Sequence, residues 1–299
     1  MKAIKSTRQV TKAMELVAAS KMRRAVQNAQ VLRRYALLAW QMLQQIAAQR
    51  PSLHPFLVEQ KPSKVLAILF SSDRGLCGSL NTQLFRATNQ YLQQLASLPS
   101  FERVDFIAVG RKGQQFLARS KQNILAAFPA LSNHPTSRDA RPIMRMAADA
   151  FLRGEVDHVV LIFPDFVSAL LQEPAVKLLL PLSETELRGM LRSLAQSRKA
   201  PRDVDIALGT LPAGGEYLFE PSAEDILSTV LPQLTQVQMY QAVLEAAASE
   251  HSARMVAMRN ATDNASDILD DLTLTYNQTR QASITAQLAE LSASKAALD

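Results

Sequence analysis

One thiol, four imidazoles and one polar loop are the places where this chain carries reactive side chains. A thiol becomes a nucleophile when a nearby cation or base draws off its proton, and Cys77 has no histidine near it in sequence. The sequence therefore predicts a buried, inert thiol. The histidines, His54, His134, His158 and His251, are scattered singly and lack metal-ligand spacing, so surface or packing roles are expected. Ser71 to Asn81 lies between an apolar strand pattern and a helical one, where a phosphate-binding loop would sit. It has neither GxGxxG spacing nor a GK[ST] element, and reads as a structural turn. No catalytic set, cofactor-binding set or metal site is expected. Asn260, Asn264 and Asn277 open glycosylation-like triplets, which are taken as chance matches.

The elements around these residues follow from where the helix breakers fall. All 14 prolines and nine glycines lie between Pro51 and Pro232, leaving 50 residues in front and 67 behind with neither. Two breaker-free ends around a breaker-rich middle predict two very long helices flanking a compact insert. At ~1.5 Å per residue they would reach roughly 75 and 100 Å, longer than a globular domain requires.

Seam spacing tests that reading. Ala18, Met22, Ala25, Ala29, Leu32, Ala36, Ala39, Leu43 and Ile46 alternate steps of four and three, and all are apolar. In the back run Leu244, Ala247, His251, Arg254, Met258, Ala261, Ala265, Ile268 and Leu272 keep that rhythm, and the series continues through Thr275 and Thr279 to Ala296. The repeat predicts a left-handed coiled coil. His251 and Arg254 fall on the seam, where a polar group needs a partner; a register-setting pair and a functional contact are both open. Residues 1–50 carry ten Lys or Arg against one acid, Glu15, whereas residues 233–299 carry eight acids against four bases. The two helices are thus expected to pair antiparallel, with charge setting orientation more than stability.

The middle changes period. Val65–Phe70, Val104–Val109, Asn123–Phe128, Val159–Phe163 and Val176–Leu182 are strand candidates. Helices are predicted at Thr82–Leu95, Gln114–Ser120 and Arg141–Arg153, with Gly110 to Gly113 as a turn. This predicts an α/β domain with a Rossmann-like, mainly parallel sheet. The expected division is a coiled-coil helix over 1–58, the α/β domain over 59–220 and a second coiled-coil helix over 221–299. Residues 183–215 read as an irregular connection with weak helical signal at Leu187–Leu194, Pro221 and Ser222 open the last helix, and Pro232 is expected to kink or restart it. No apolar run is long enough to span a membrane, and the single cysteine excludes an internal disulfide and fits a reducing compartment. The first residues resemble a transit peptide in composition but belong to the long helical pattern. The net charge of +6 leaves nucleic acid, acidic lipid or an acidic protein as partner classes.

Four segments carry a family resemblance: Ile4-Lys-Ser-Thr-Arg-Gln-Val-Thr-Lys-Ala-Met-Glu-Leu-Val-Ala-Ala-Ser-Lys-Met-Arg-Arg-Ala25, Ser72-Asp-Arg-Gly-Leu-Cys-Gly78, Ser249 to Asn264, and Tyr276-Asn-Gln-Thr-Arg-Gln-Ala-Ser-Ile-Thr285. In this order, spread along the chain, they resemble the gamma subunit of the F-type ATP synthase. The resemblance implies a central rotor stalk: an asymmetric coiled coil inside a ring of three alpha and three beta subunits, with the α/β domain against the epsilon subunit and the c-subunit ring. Such a shaft couples ion-driven rotation of the membrane ring to ATP synthesis, or the reverse hydrolysis, at the beta subunits, and performs no bond chemistry itself. It implies a peripheral membrane protein, held there only through the complex, on the cytoplasmic face of a bacterial inner membrane or the stromal face of a thylakoid.

The resemblance also implies contact residues between rotor and stator. Met14 matches the family methionine near the beta subunits' acidic lever loop, and Lys12 is its basic neighbour. Arg254, Gln281 and Thr285 match positions implicated in contact with the surrounding ring. Gln287 stands where many relatives have an acid, which puts a charged contact there in question. An alanine-rich tip, Ala282 to Ala297, would suit a low-friction bearing. Further departures are a start several residues later than typical relatives, which would shorten the first helix, Ser79-Leu80 in the turn, and no plant-type insert with paired cysteines. Two rivals stay open: a nucleic-acid-binding basic coiled coil, and a nucleotide-dependent enzyme built on the central domain, for which the phosphate loop is missing.

Overall fold

A computed structural model describes residues 1–47, 54–58, 60–133, 135–182 and 223–296. The predicted connection at 183–215, the opening at Pro221 and Ser222, and His134 lie outside them, as do the side chains of Ala36, Ala39, Leu43 and Ile46. Helix α1 (Lys2–Ala47) leads to a short 3-10 turn at Pro55–Leu57. Then follow β1 (Lys64–Phe70), α2 (Leu80–Ala96), β2 (Arg103–Val109), α3 (Arg111–Arg119), β3 (Asn123–Phe128), α4 (Ser137–Leu152), β4 (His158–Phe166) and β5 (Gln172–Leu180). The final helix, α5 (Ala223–Ala296), is 74 residues long, about 110 Å at the helical rise.

The sheet runs β3-β2-β1-β4-β5, with the first four strands parallel and β5 antiparallel to β4. β1 is buried at every position from Val65 to Phe70, the mark of a strand covered on both faces. α2 and α3 cover one face, where Leu84, Leu95 and Leu117 meet Val65, Ala67, Phe106 and Ile162. α4 and α5 cover the other, where Ile143, Ala147, Leu231, Met239 and Val243 meet Leu66, Ile68, Ile107 and Leu161. α5 is thus both a layer of the α/β domain and a strand of the shaft.

The shaft is antiparallel. Thr262 Oγ1 donates to Thr11 Oγ1 at 2.8 Å, while Ala25 packs against Ala247 and Ala248, so fourteen steps up α1 match fourteen or fifteen down α5. Buried Thr11, Ala18, Ala25 and Ala29, with half-buried Met22 and Leu32, form the α1 seam; alanines there let the helix axes approach closely. On α5 Leu244, Ala247, His251, Met258 and Ala265 of the predicted seam are buried and Arg254 and Ala261 half-buried, but Ile268 is exposed, and half-buried Leu272 is the last covered position. From Thr273 to Glu290 every residue is exposed, so the predicted seam series through Thr275, Thr279, Ala282 and Ala289 has no partner helix among the described residues.

Three helices begin earlier than their patterns predict, α2 by two residues at Leu80 and α3 and α4 by three and four. α3 starts at Arg111 because Gly110, at φ 97°, turns the chain sharply where a Cβ would collide with the Ser71 carbonyl. α4 starts at Ser137 because the Asp139 carboxylate accepts from Thr136 N and Oγ1 at 2.8 and 2.7 Å, fixing the first turn ahead of Pro142. Pro232 does not restart the last helix, which is one element from Ala223 to Ala296.

Candidate functional site

The polar loop that follows β1 is occupied with its own structure. Cys77 is buried, Asn81 Nδ2 donates to its Sγ at 3.3 Å, and burial pushes the thiol up from its ordinary range. Ser72 Oγ donates to Arg74 O at 2.7 Å, and Asn81 Oδ1 accepts from Ser72 N. The loop also satisfies the N–H groups opening α3: Arg111 N donates to Asp73 Oδ1, Lys112 N to Ser72 O and Gly113 N to Ser71 Oγ. The loop is a structural turn. Among the described residues no group of His, Cys, Asp or Glu has the arrangement to hold a metal ion.

In doubly wound sheets ligands bind outside the carboxyl ends of the strands where the strand order reverses, here between β1 and β4. This chain lays its own shaft across that place. On one side Lys21 Nζ donates to Asn133 Oδ1 at 2.6 Å and His251 Nε2 meets Ser132 O at 2.8 Å, tying both helices to the β3–α4 loop. Arg254 reaches Gly75 O at 3.5 Å in the β1–α2 loop while pairing with Glu250 at 2.8 Å. On the other side the β4–β5 hairpin grips α5: Ser252 Oγ donates to Ala169 O at 2.6 Å, and Phe166 packs against the cluster of Ala25, Ala247 and Ala248. Farther down α5, Lys177 sits between Asp165 and Glu245, 3.4 and 3.7 Å away. Burial pushes the Glu245 carboxyl up, with Lys177 opposing.

Between shaft and loops lies a crevice of about 600 Å³. Met14 and Val17 of α1, Arg74 and Leu76 of the β1–α2 loop, Arg111 of α3 and Arg254 of α5 are among its walls. His251 also lines it. Burial holds its imidazole below the usual range, Arg254 and Lys21 push the same way, and Ser132 O and Glu250 oppose them.

The expected contact residues fall into two separate zones. Met14 and Arg254 meet at the crevice, where the Arg254 side chain keeps only 13% exposure. Lys12 is exposed on the same helix and pairs with Glu15 at 2.9 Å. Gln281, Thr285 and Gln287 are exposed on α5, the nearest 27 residues beyond Arg254, about 40 Å along the helix. Gln281 and Thr285 share a face; Gln287, six residues after Gln281, is turned roughly 240° from it. Sequence reasoning missed Thr11, Lys21, Asn133, Ser252 and the hairpin carbonyl of Ala169. Only Thr11 left a signal, lying seven residues before Ala18 on the seam.

A family profile described as ATP synthase matches residues 1–298. The chain is 38% identical to the ATP synthase gamma chain of Roseiflexus sp. (strain RS-1), covering 100% of this chain and 96% of that one. It is 40% identical to the gamma chain of Opitutus terrae, over 99% and 95% of the two chains. Among solved structures it resembles a chain of the Tetrahymena thermophila mitochondrial ATP synthase central stalk and c-ring, with TM-score 0.59 and 24% identity over 85% of this chain and 99% of that one. A chain of the Euglena gracilis mitochondrial ATP synthase rotor matches with TM-score 0.59 and 20% identity over 95% of both. At these identities the two structures speak for the fold.

Proposed function

The chain belongs to the ATP synthase gamma-chain family, and from that premise we propose that it is the central rotor shaft of an ATP synthase, coupling ion-driven rotation to ATP synthesis or hydrolysis on other subunits. The observation that carries this is the continuity of α5. One helix is locked into the sheet at Leu231 to Val243, wound against α1 from Ala247 to Ala265, and solvent-exposed at every position from Thr273 to Glu290. Rotation imposed on the domain is then delivered to the far end without an intervening joint. A single lopsided shaft facing repeated sites must bias them differently, which is what a rotary mechanism needs.

The chain performs no bond chemistry in this reading; its substrate is motion. The partners are three alpha and three beta subunits around the shaft, with epsilon and the c-subunit ring against the α/β domain. The complex is held at a membrane, on the cytoplasmic face in a bacterium, through those other subunits; no described helix is long and apolar enough to cross it. The three-part division at residues 58 and 220 follows the same logic, with α5 shared between shaft and domain. Two contact zones are proposed. The crevice, with Met14 and Arg254 in its walls, takes the acidic lever of beta, with Lys12 exposed nearby on α1 as a basic neighbour; Gln281, Thr285 and Gln287 on the exposed stretch of α5 meet the surrounding ring. The relatives give no support to a nucleic-acid role for the basic first helix.

The test is reconstitution of the full chain with alpha and beta partners. ATP hydrolysis accompanied by stepwise rotation of a probe fixed to the α/β domain is expected. Hydrolysis without rotation, or no assembly, would refute the shaft role.

A further inference from the structure

We propose that the crevice between shaft and α/β domain is also a binding site for a small amphipathic anion, its head held by Arg74 and Arg111 and its apolar body lying against Met14, Val17 and Leu76. The place and size come first. A volume of about 600 Å³ is in the range of small-ligand sites, and its walls are the loops that leave the carboxyl ends of β1, β2 and β3 together with the two shaft helices.

Charge then selects an anion. Lys21, Arg74, Arg111 and Arg254 line the crevice against two carboxylates, Asp73 and Glu250. Glu250 is committed to Arg254 at 2.8 Å, and Lys21 is directed to Asn133. Asp73 Oδ1 accepts from the backbone N–H groups of Arg111 and Ala130 at 2.9 and 3.2 Å, leaving the Arg111 guanidinium 4.0 Å from it. Arg74 has no carboxylate within ion-pair reach among the described residues. Two forked donors on one rim suit a planar or tetrahedral oxyanion. Because the amides opening α3 are already bonded, recognition falls to these side chains and not to a phosphate loop.

The apolar half has its own signature. Leu76 is held at φ 63°, a strained value for a side chain of its size, and is 61% exposed; Val17 is 55% exposed. The left-handed turn at Leu76 presents a leucine to the open crevice, where it can meet the apolar body of a ligand. An inorganic anion would leave Leu76 and Val17 uncovered, so the ligand class has an apolar body.

Binding to the free chain stands apart from the rotor reading; the competition it predicts rests on that reading, because the beta lever is assigned to the same crevice. The experiment uses the full chain with anilinonaphthalene sulfonate as probe, read by fluorescence and calorimetry. One saturable site is expected, weakened roughly tenfold or more in the Arg74→Ala/Arg111→Ala double variant and again in Leu76→Ser, with pyrophosphate a poor competitor. Both arginines are exposed, and unchanged circular dichroism would establish that the variant is folded. Unchanged affinity in the double variant, or an equal loss in Gln281→Ala/Thr285→Ala, would overturn the site. In the assembled complex the probe should slow hydrolysis in the native chain and not in the double variant. Binding without slowing would leave the site standing and remove the beta lever from the crevice.

Discussion

Helix α5 has two surroundings, and they ask different things of its sequence. Between Leu231 and Ser252 it is enclosed by the sheet, α4 and α1, and Met239, Leu244, Ser249 and Ser252 are fully or almost fully buried. Between Thr273 and Glu290 the same helix has no covered residue, and Leu274, Tyr276, Ile284 and Leu288 are 44–60% exposed. Most helices in proteins draw their stability from a packed face. The lower stretch does; the upper stretch leaves that role to whatever surrounds it in a complex.

The sharpest way to break this contrast is to truncate one apolar side chain in each stretch. Met239→Ala should cost the full chain about 2–5 kcal/mol in urea denaturation, because the lost methylenes leave a cavity inside a packed layer. Leu274→Ala should stay within about 0.5 kcal/mol. Equal losses would mean that the upper stretch folds against something in the isolated chain.

Next in size is Arg254, which belongs to neither stretch. Its guanidinium is bonded to Glu250, itself 6% exposed, and to the Gly75 carbonyl. Arg254→Ala should cost roughly 1.5–3 kcal/mol, the range for a hydrogen bond to a buried charge, with Arg254→Lys recovering part of it. If both variants denature like the native chain yet fail to couple rotation to hydrolysis in the complex, Arg254 acts on the stator and not on the fold.

The contrast also explains what the sequence made legible. Breakers absent from both ends, and alanines stepping from Ala18 to Ala29, announce a shaft because seam spacing is local and periodic. Near-continuous apolar runs such as Val65–Phe70 announce the buried sheet for the same reason. The clamp at the junction is different. Lys21 to Asn133, His251 to Ser132 and Ser252 to Ala169 join positions about 80 to 120 residues apart, and two of the three use a backbone carbonyl, which no side-chain pattern records. The end of the seam near Leu272 was equally hidden, since alanines and threonines keep the repeat whether or not a partner is present. Of the contact residues, the pattern placed Arg254 on the seam; that its charge is met by Glu250 and Gly75 needed the fold.

The clamp offers two smaller effects. Ser252→Ala should cost about 1 kcal/mol, by loss of its bond to Ala169. His251 adds a pH signature. Its folded pKa lies below the ordinary value of 6.5, so the unfolded chain takes the proton more readily. The stability it contributes is complete above about 6.5 and is lost as pH falls through that value toward the folded pKa. His54 and His158 are shifted the same way by burial, so the diagnostic is a difference. Denaturation of native and His251→Gln chains should converge on acidification, and parallel curves would mean that the latch does not sense protons.

The least effect on the isolated chain is expected at the tip, and it is the one that separates the two stretches by purpose. Ala282, Ala286 and Ala289 are exposed, and tryptophans there meet nothing that the fold has to move. Thermal and urea midpoints of the triple Ala→Trp variant should shift by no more than the helix-propensity difference, a few tenths of a kcal/mol per site. In the assembled complex the same side chains would protrude into the surrounding ring, so rotation under load should slow even though the fold is unchanged. Were rotation unaffected, the small residues of the tip would owe their presence to helix propensity alone, for which alanine is the best choice. Were the free chain destabilised beyond that difference, the upper stretch would have a partner within its own polypeptide, and the division between a self-supported base and a ring-supported tip would fail.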